Sequence, residues 1–232
     1  SGPNWLAECI TLAYRRDLDE LMFEHIFTPL GIRRTDLVWR KNQYRPDLID
    51  GIKRREFGAG ISENVDAMAR FGLLWLRGGQ WNGVQLIPRD YVDQVRTTAP
   101  GVPGLKVRMP EHYSKAANHY GLLWWNNADE TIEGLPLDTY WTWGLYDSLI
   151  VVMPTLDIVV ARAGQSWKRA KDADHYEVLK PFLLPIVAAA RSESRLQPAG
   201  SFHRPRPAFV APPSPVIREI VWAPPNTIIR QA

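Results

Sequence analysis

Among the side chains in this 232-residue chain that could carry covalent or proton-transfer chemistry are its serines, five histidines and one cysteine. Gly60-Ile61-Ser62-Glu63-Asn64 has the first glycine and the serine of a nucleophile elbow but not the closing glycine, and no strand pattern precedes it. Ser62 therefore reads as a helix N-cap, its hydroxyl accepting a free amide of the first turn, with Glu63 at the positive end of the dipole. His25, His112, His119, His175 and His203 stand apart, with no Cys or His at ligand spacing, so neither a metal site nor a cofactor is expected. No phosphate-binding glycine loop occurs. Cys9 excludes an internal disulfide and falls on the apolar side of an expected helix, where a buried, inert thiol is the expectation. Ten tryptophans raise the question of sugar binding, but most lie in expected helices or strands, where core packing is the default.

The elements that must position any site are punctuated by glycine and proline. Gly58 and Gly60 permit a tight backbone path into a helix that runs to Leu76, with Val65, Met68, Ala69, Gly72, Leu73 and Leu76 on its apolar face. Gly78-Gly79 stops that helix, Asn82-Gly83 makes a turn, and Pro88 opens a short helix from Arg89 to about Thr97. Ahead of this stretch, helices are expected from Trp5 to about Arg16, with Leu6, Cys9, Ile10 and Ala13 on one side, and from Leu18 to about Phe27 behind an Asp17/Glu20 capping box. Residues 33 to 55 read as a wrapping loop, and residues 98 to 118 as a Pro/Gly-containing loop or lid. Strands are expected over Tyr120–Trp125, Leu149–Met153 and Ile158–Ala163, the last two as an antiparallel pair in the middle of a sheet joined by Pro154–Asp157. Asp172 to about Ala190 reads as a closing helix with Tyr176, Leu179, Phe182, Leu183, Ile186 and Val187 inward, kinked or divided at Pro181 and Pro185.

Composition is that of an ordinary globular protein, 45% hydrophobic and 23% charged, and a formal charge of +3 with scattered Lys and Arg argues against a nucleic-acid partner. No apolar run has the length of a membrane span. Eight of the 19 prolines fall after Arg191, including Pro212-Pro213-Ser214-Pro215. The expected organisation is one domain over residues 1 to 190, a Pro-rich linker over 191 to 215, and the start of a truncated β-rich domain over 216 to 232.

The entry Gly58-Ala59-Gly60-Ile61-Ser62, the helix phrase Ala69-Arg70-Phe71-Gly72, Gly78-Gly79 with Gly83, and Leu86-Ile87-Pro88 together resemble the serine β-lactamase-like hydrolases. These include penicillin-binding proteins, class C β-lactamases, esterases and D-aminopeptidases. The phrase Ile26-Phe27-Thr28-Pro29-Leu30-Gly31-Ile32 is typical of the same family, and the resemblance spans roughly residues 1 to 191. It implies an α+β fold of the β-lactamase/transpeptidase-like kind, an antiparallel sheet flanked by helices, incomplete at its amino end. It also implies acyl transfer to an ester, amide or peptide substrate through an acyl-serine. Ser-x-x-Lys and Tyr-x-Asn, which carry that chemistry, do not occur in the chain.

By resemblance, Ser1 stands at the third position of a tyrosine motif whose earlier residues would lie upstream. The chain is then expected to be an inactive fragment of a hydrolase. The alternative is a non-catalytic module that binds or supports, and a further option is an appendage of a carbohydrate-active protein. Trp143-Gly144-Leu145-Tyr146 resembles a Trp-Gly-Gly form of the third motif, which implies substrate contact there and an oxyanion-hole amide at Leu145 or Tyr146. The bland reading is that Trp141, Trp143 and Tyr146 pack a strand end. With neither a Lys-Thr-Gly lysine nor a His-x-Gly histidine at that third-motif position, an esterase-like or amidase-like role is favoured over a β-lactamase. In residues 33 to 55, Trp39 and Tyr44 are candidates for substrate contact but are read first as surface packing. A periplasmic, cell-envelope or secreted location is implied by the resemblance alone.

Overall fold

The computed structural model describes residues 2–113, 115–171 and 173–196, which form two compact units meeting in sequence at residue 67. Ser1 and residues 197 to 232, where most of the expected linker and the expected extra strand fall, lie outside the described residues.

The first unit opens with the helix Gly2–Tyr14, followed by Leu18–Met22, which widens into a π-helical turn over Phe23–Phe27. Asp17 caps the second helix by accepting from the Asp19 N–H at 3.1 Å. Burial pushes the Asp17 carboxyl upward, but the paired hydrogen bonds from Arg55 outweigh this and hold it below the ordinary range.

The first helix presents to the unit's interior a face other than the apolar one. Asn4, Ala7 and Thr11 are buried, whereas Trp5, Leu6 and Cys9 are exposed. The reason is a hydrogen-bond demand from residues 56 to 58. Asn4 donates through Nδ2 to Glu56 Oε1 at 2.8 Å and accepts at Oδ1 from the Phe57 and Gly58 N–H groups. A buried amide that satisfies three partners outweighs an apolar stripe that solvent can tolerate. The expectation of a buried Cys9 is corrected accordingly.

Within residues 33 to 55, the expected loop contains the strand Leu37–Trp39 and the small hairpin Leu48–Ile49/Ile52–Lys53. Trp39 is buried and donates its indole N–H to Glu56 O, while Tyr44 is exposed. Leu37–Trp39 pairs antiparallel with Ile61–Glu63, so Ser62 sits in a strand opposite Val38 and does not cap the next helix. Asn64 does, accepting at Oδ1 from the Ala67 N–H at 2.9 Å. Glu63, opposite Leu37, loses enough water to push its carboxyl up to about 7.

The helix Val65–Leu76 carries the chain into the second unit. Its buried residues include Met68, Gly72, Leu74 and Trp75, with Val65 exposed. Gly78 and Gly79 leave it with positive φ, and Asn82-Gly83, both left-handed, close the hairpin Gln80–Trp81/Val84–Gln85. A four-stranded antiparallel sheet follows, in the order Ile158–Arg162, Leu149–Met153, Tyr140–Trp143, Trp125–Asn126.

Leu149–Met153 is buried along its whole length because both of its faces are covered. Leu149, Val151 and Met153 pack with Tyr176, Leu179, Leu183 and Val187, while Ile150 and Val152 pack with Met68, Trp75, Val92 and Val95. The inward residues of the closing segment fall as their spacing predicts, on a short 3-10 turn His175–Val178 and the helix Lys180–Leu196. Among the described residues Ile158–Arg162 is the edge strand of this sheet, where a central position was expected.

The aromatic run Tyr120–Trp125 is not a strand. Gly121 donates to Trp124 O at 2.7 Å, Leu123 is left-handed (φ 66°), and only Trp125 continues into the sheet. A Cβ on Gly121 would lie 2.6 Å from Thr97 O, so the glycine is what lets the backbone close here. Among the described residues no helix is long and apolar enough to cross a membrane.

Two outcomes follow. A Cβ at Gly72 would meet Val159 Cγ1 at 2.6 Å and Ile150 Cγ2 at 2.7 Å, both on stiff β-branched side chains. Gly72→Ala should therefore lose about 1–3 kcal/mol to overpacking, more than the roughly 1 kcal/mol of helix propensity it gains. Urea denaturation will show a lowered midpoint, and an unchanged or raised one refutes the packing. For Glu63 the folded-state value lies above the unfolded one, so its contribution to stability declines as pH rises from 4.5 to about 7. Glu63→Gln should unfold at a higher temperature than the wild type at pH 8, with the gap shrinking by pH 4.5.

Candidate functional site

Where the strand Tyr140–Trp143 ends, the chain makes a tight turn into Leu149–Met153. The Gly144 N–H donates to Ser148 O at 2.9 Å, and the Ser148 N–H returns to Leu145 O at 3.2 Å. Tyr146 (φ 59°) and Asp147 (φ 56°) are both left-handed, a conformation costing roughly 1–2 kcal/mol for each residue bearing a Cβ.

Something must hold so unfavourable a turn. The Asp147 side chain is buried and accepts from the Trp143 indole N–H at 2.9 Å and the Trp167 backbone N–H at 2.8 Å. Arg169 completes the set, reaching both carboxylate oxygens through its two terminal nitrogens. Burial alone would push the Asp147 carboxyl up. The hydrogen bonds from Arg169, Trp143 and the Trp167 amide reverse that and leave it ionised, below the ordinary carboxylate range.

Beside the turn lies a pocket of about 290 Å³ lined by Trp143, Gly144, Asp147, Arg169, Tyr113, Trp125, Ala116 and the loop residues Val107, Arg108 and Met109. Its walls are largely flat and apolar. Tyr113 lies parallel to Trp125 and edge-on to Trp143, each at 6.4 Å between ring centres. Burial raises the Tyr113 hydroxyl above its ordinary value, so it stays a neutral phenol at physiological pH. The loop read as a lid thus supplies one wall.

Trp143 and Gly144, proposed from sequence, line this pocket, and Leu145 and Tyr146 stand exposed on the adjoining turn. The N–H groups of Leu145 and Tyr146 donate to no acceptor among the described residues. Ser1 lies outside the described residues. Trp141 is fully buried, as the packing reading holds for that residue. Sequence reasoning missed Asp147, Arg169 and Tyr113. Asp147 directly follows the motif, but nothing in its spacing announces a partner 22 residues on.

The histidines go elsewhere. His119 is buried behind Trp125, with Nδ1 at 3.1 Å from Thr131 Oγ1 and 3.3 Å from Asp129 Oδ2, and burial lowers it despite Asp129. His112 and His175 stack at 4.6 Å, and His25 is near Glu24 on the surface. Among the described residues no group of three metal-ligating side chains converges.

No protein-family profile matches the chain, and no curated protein matches it in sequence. Solved structures do match. A provisionally named 6-aminohexanoate-dimer hydrolase from Bacillus anthracis superposes with a TM-score of 0.54 at 17% identity, covering 81% of this chain and 42% of its own. Simvastatin synthase (LovD) from Aspergillus terreus, unliganded, gives 0.55 at 19% identity, covering 82% and 53%. The chain therefore has the serine β-lactamase/transpeptidase-like α+β fold and spans about half the length of the structures it matches.

Replacing Asp147 by Asn leaves Arg169 facing a neutral amide in a water-poor site, which should cost about 3 kcal/mol. The folded-state value of Asp147 is depressed, so its contribution is present above the unfolded value near pH 4 and is lost as pH falls through the folded one. The difference in unfolding free energy between the wild type and Asp147→Asn should be full at pH 7 and close progressively below pH ~4. A gap independent of pH would show that the charge is not what matters.

Proposed function

We propose that this chain is part of a hydrolase domain that cleaves an ester or amide through an acyl-serine, and that the Trp143–Tyr146 turn is the wall of its cleft carrying an oxyanion donor. The observation that carries the reading is the turn itself: a strained, externally presented strand end with two N–H groups that meet no acceptor among the described residues, braced from within and opening beside an aromatic pocket. The fold is consistent with it, since the structures that share it include one named as a hydrolase of the 6-aminohexanoate dimer.

The lysine of an upstream Ser-x-x-Lys would take the hydroxyl proton as the serine oxygen attacks the carbonyl carbon, the carbonyl π pair moving onto oxygen and the N–H of Leu145 or Tyr146 stabilising that oxyanion. Collapse would expel the alcohol or amine, which takes up that proton, and water would then hydrolyse the acyl-enzyme to the acid and the free serine. One such donor is worth about 3–4 kcal/mol in the transition state because it is already oriented when charge develops. Trp125, Trp143 and Tyr113 would hold an apolar part of the substrate. The attacking serine and its lysine are not written in these residues as Ser-x-x-Lys, so the chain by itself is assigned no turnover.

A fluorophosphonate and a fluorescent penicillin test this directly. The 232-residue chain should take up neither label. A form extended at its amino end that includes a Ser-x-x-Lys should be labelled at that serine. Labelling of the shorter chain, or no Ser-x-x-Lys in the upstream coding sequence, refutes the reading and favours a non-catalytic binding module.

A further inference from the structure

The Asp147 carboxylate accounts for one side of the turn only. Its four donors fix the side chain, yet the two left-handed residues also need their peptide planes held. The Leu145–Tyr146 plane is anchored by Ser148, whose N–H donates to Leu145 O. In a trans peptide the N–H points opposite to the C=O, so an inward Leu145 carbonyl directs the Tyr146 N–H outward. The next plane, Tyr146–Asp147, is where a flip would undo this arrangement, because rotating it carries both residues out of the left-handed region.

Arg162 holds that plane. It is the last residue of the edge strand, and the ladder pairs it with Leu149, the first residue after the turn. Its Nη1 donates to Tyr146 O at 3.1 Å and to Asp147 O at 2.7 Å, and its Nη2 donates to Gln165 O at 2.7 Å. The guanidinium lies over the Trp167 ring, with Cζ 3.9 Å from its centre, and the backbone N–H of Trp167 is itself a donor to Asp147. A planar fork over an indole delivers these hydrogen bonds at once, which a lysine ammonium has no geometry to do.

We propose that Arg162 is a positioning residue: it locks the Tyr146–Asp147 peptide so that the adjoining Tyr146 N–H is held outward as a ready donor. This rests on the proposed role of the turn, but it is tested without any chemistry. Arg162 touches no reacting atom.

The test is amide hydrogen exchange followed by NMR on the full 232-residue chain. In Arg162→Ala the Gly144 and Ser148 amides, which close the turn, should exchange about tenfold faster or more, the size expected from losing hydrogen bonds to a charged donor. The Val151 and Val152 amides in the buried strand should keep their wild-type rates, which separates loosening of the turn from global destabilisation. Added guanidinium ion at tens of millimolar, below denaturing levels, should slow the Gly144 and Ser148 amides again. Arg162→Lys, which keeps the charge and the fold, should show the acceleration too. Wild-type exchange at Gly144 and Ser148 in both variants, or acceleration shared equally with Val151 and Val152, overturns the proposal. If the turn loosens as expected while an extended form carrying the serine is still labelled at an unchanged rate, the locking stands and the oxyanion role of the turn falls.

Discussion

A carboxylate withdrawn from water must be given donors, and the need of Asp147 for them shapes much of the second unit. Its oxygens are served from three places in the chain: the indole at the end of one strand, a backbone amide at Trp167 and the fork of Arg169. None of these is local in sequence except Trp143. The segment after the edge strand must therefore come back across the turn, and Gly164, at φ 148°, lies at the start of that return. Removing one partner of such a group costs far more than the pair is worth when complete, so the arrangement tolerates little piecemeal change.

The sheet provides the rigid frame from which this carboxylate is hung. Leu149–Met153 alternates between two apolar clusters, and a one-residue slip would exchange every contact. The register is thereby pinned, and with it the pairings of Trp143 and of Arg162 with Leu149. Residues that meet at the turn do so because the strands beneath them have no alternative alignment of comparable burial.

What was legible in the sequence follows from whether a residue's environment is local or distant. Leu149–Met153 and Ile158–Arg162 announce themselves as apolar runs with turn residues between, and Tyr176, Leu179, Leu183 and Val187 as a helical stripe. The first helix misleads because its inward face is chosen by Asn4 answering Glu56 and two amides more than fifty residues away. Ser62 and Asn64 are equally good caps on paper, and the difference is that Ser62 is taken by a strand whose partner, Leu37–Trp39, has no period long enough to notice. The aromatic run at Tyr120 has the composition of a strand, yet Gly121 and a left-handed Leu123 break it. Trp143 and Gly144 stand out in the sequence through a resemblance to a motif, whereas Arg169 and Arg162 owe their places to the return of the chain across the turn, which no spacing rule encodes.

The coupling of pocket and turn is the last consequence of this design. Trp143 has two tasks: its ring forms a wall of the pocket, and its indole N–H is one of the donors that keep Asp147 satisfied. A ligand seated against that ring cannot tilt it without lengthening the hydrogen bond to Asp147, and the neighbouring donors, themselves engaged, are poorly placed to compensate. Rigidity of the pocket wall and rigidity of the turn are thus one property, maintained by one buried charge. The backbone of the turn is thereby fixed by the same contacts that fix the pocket wall.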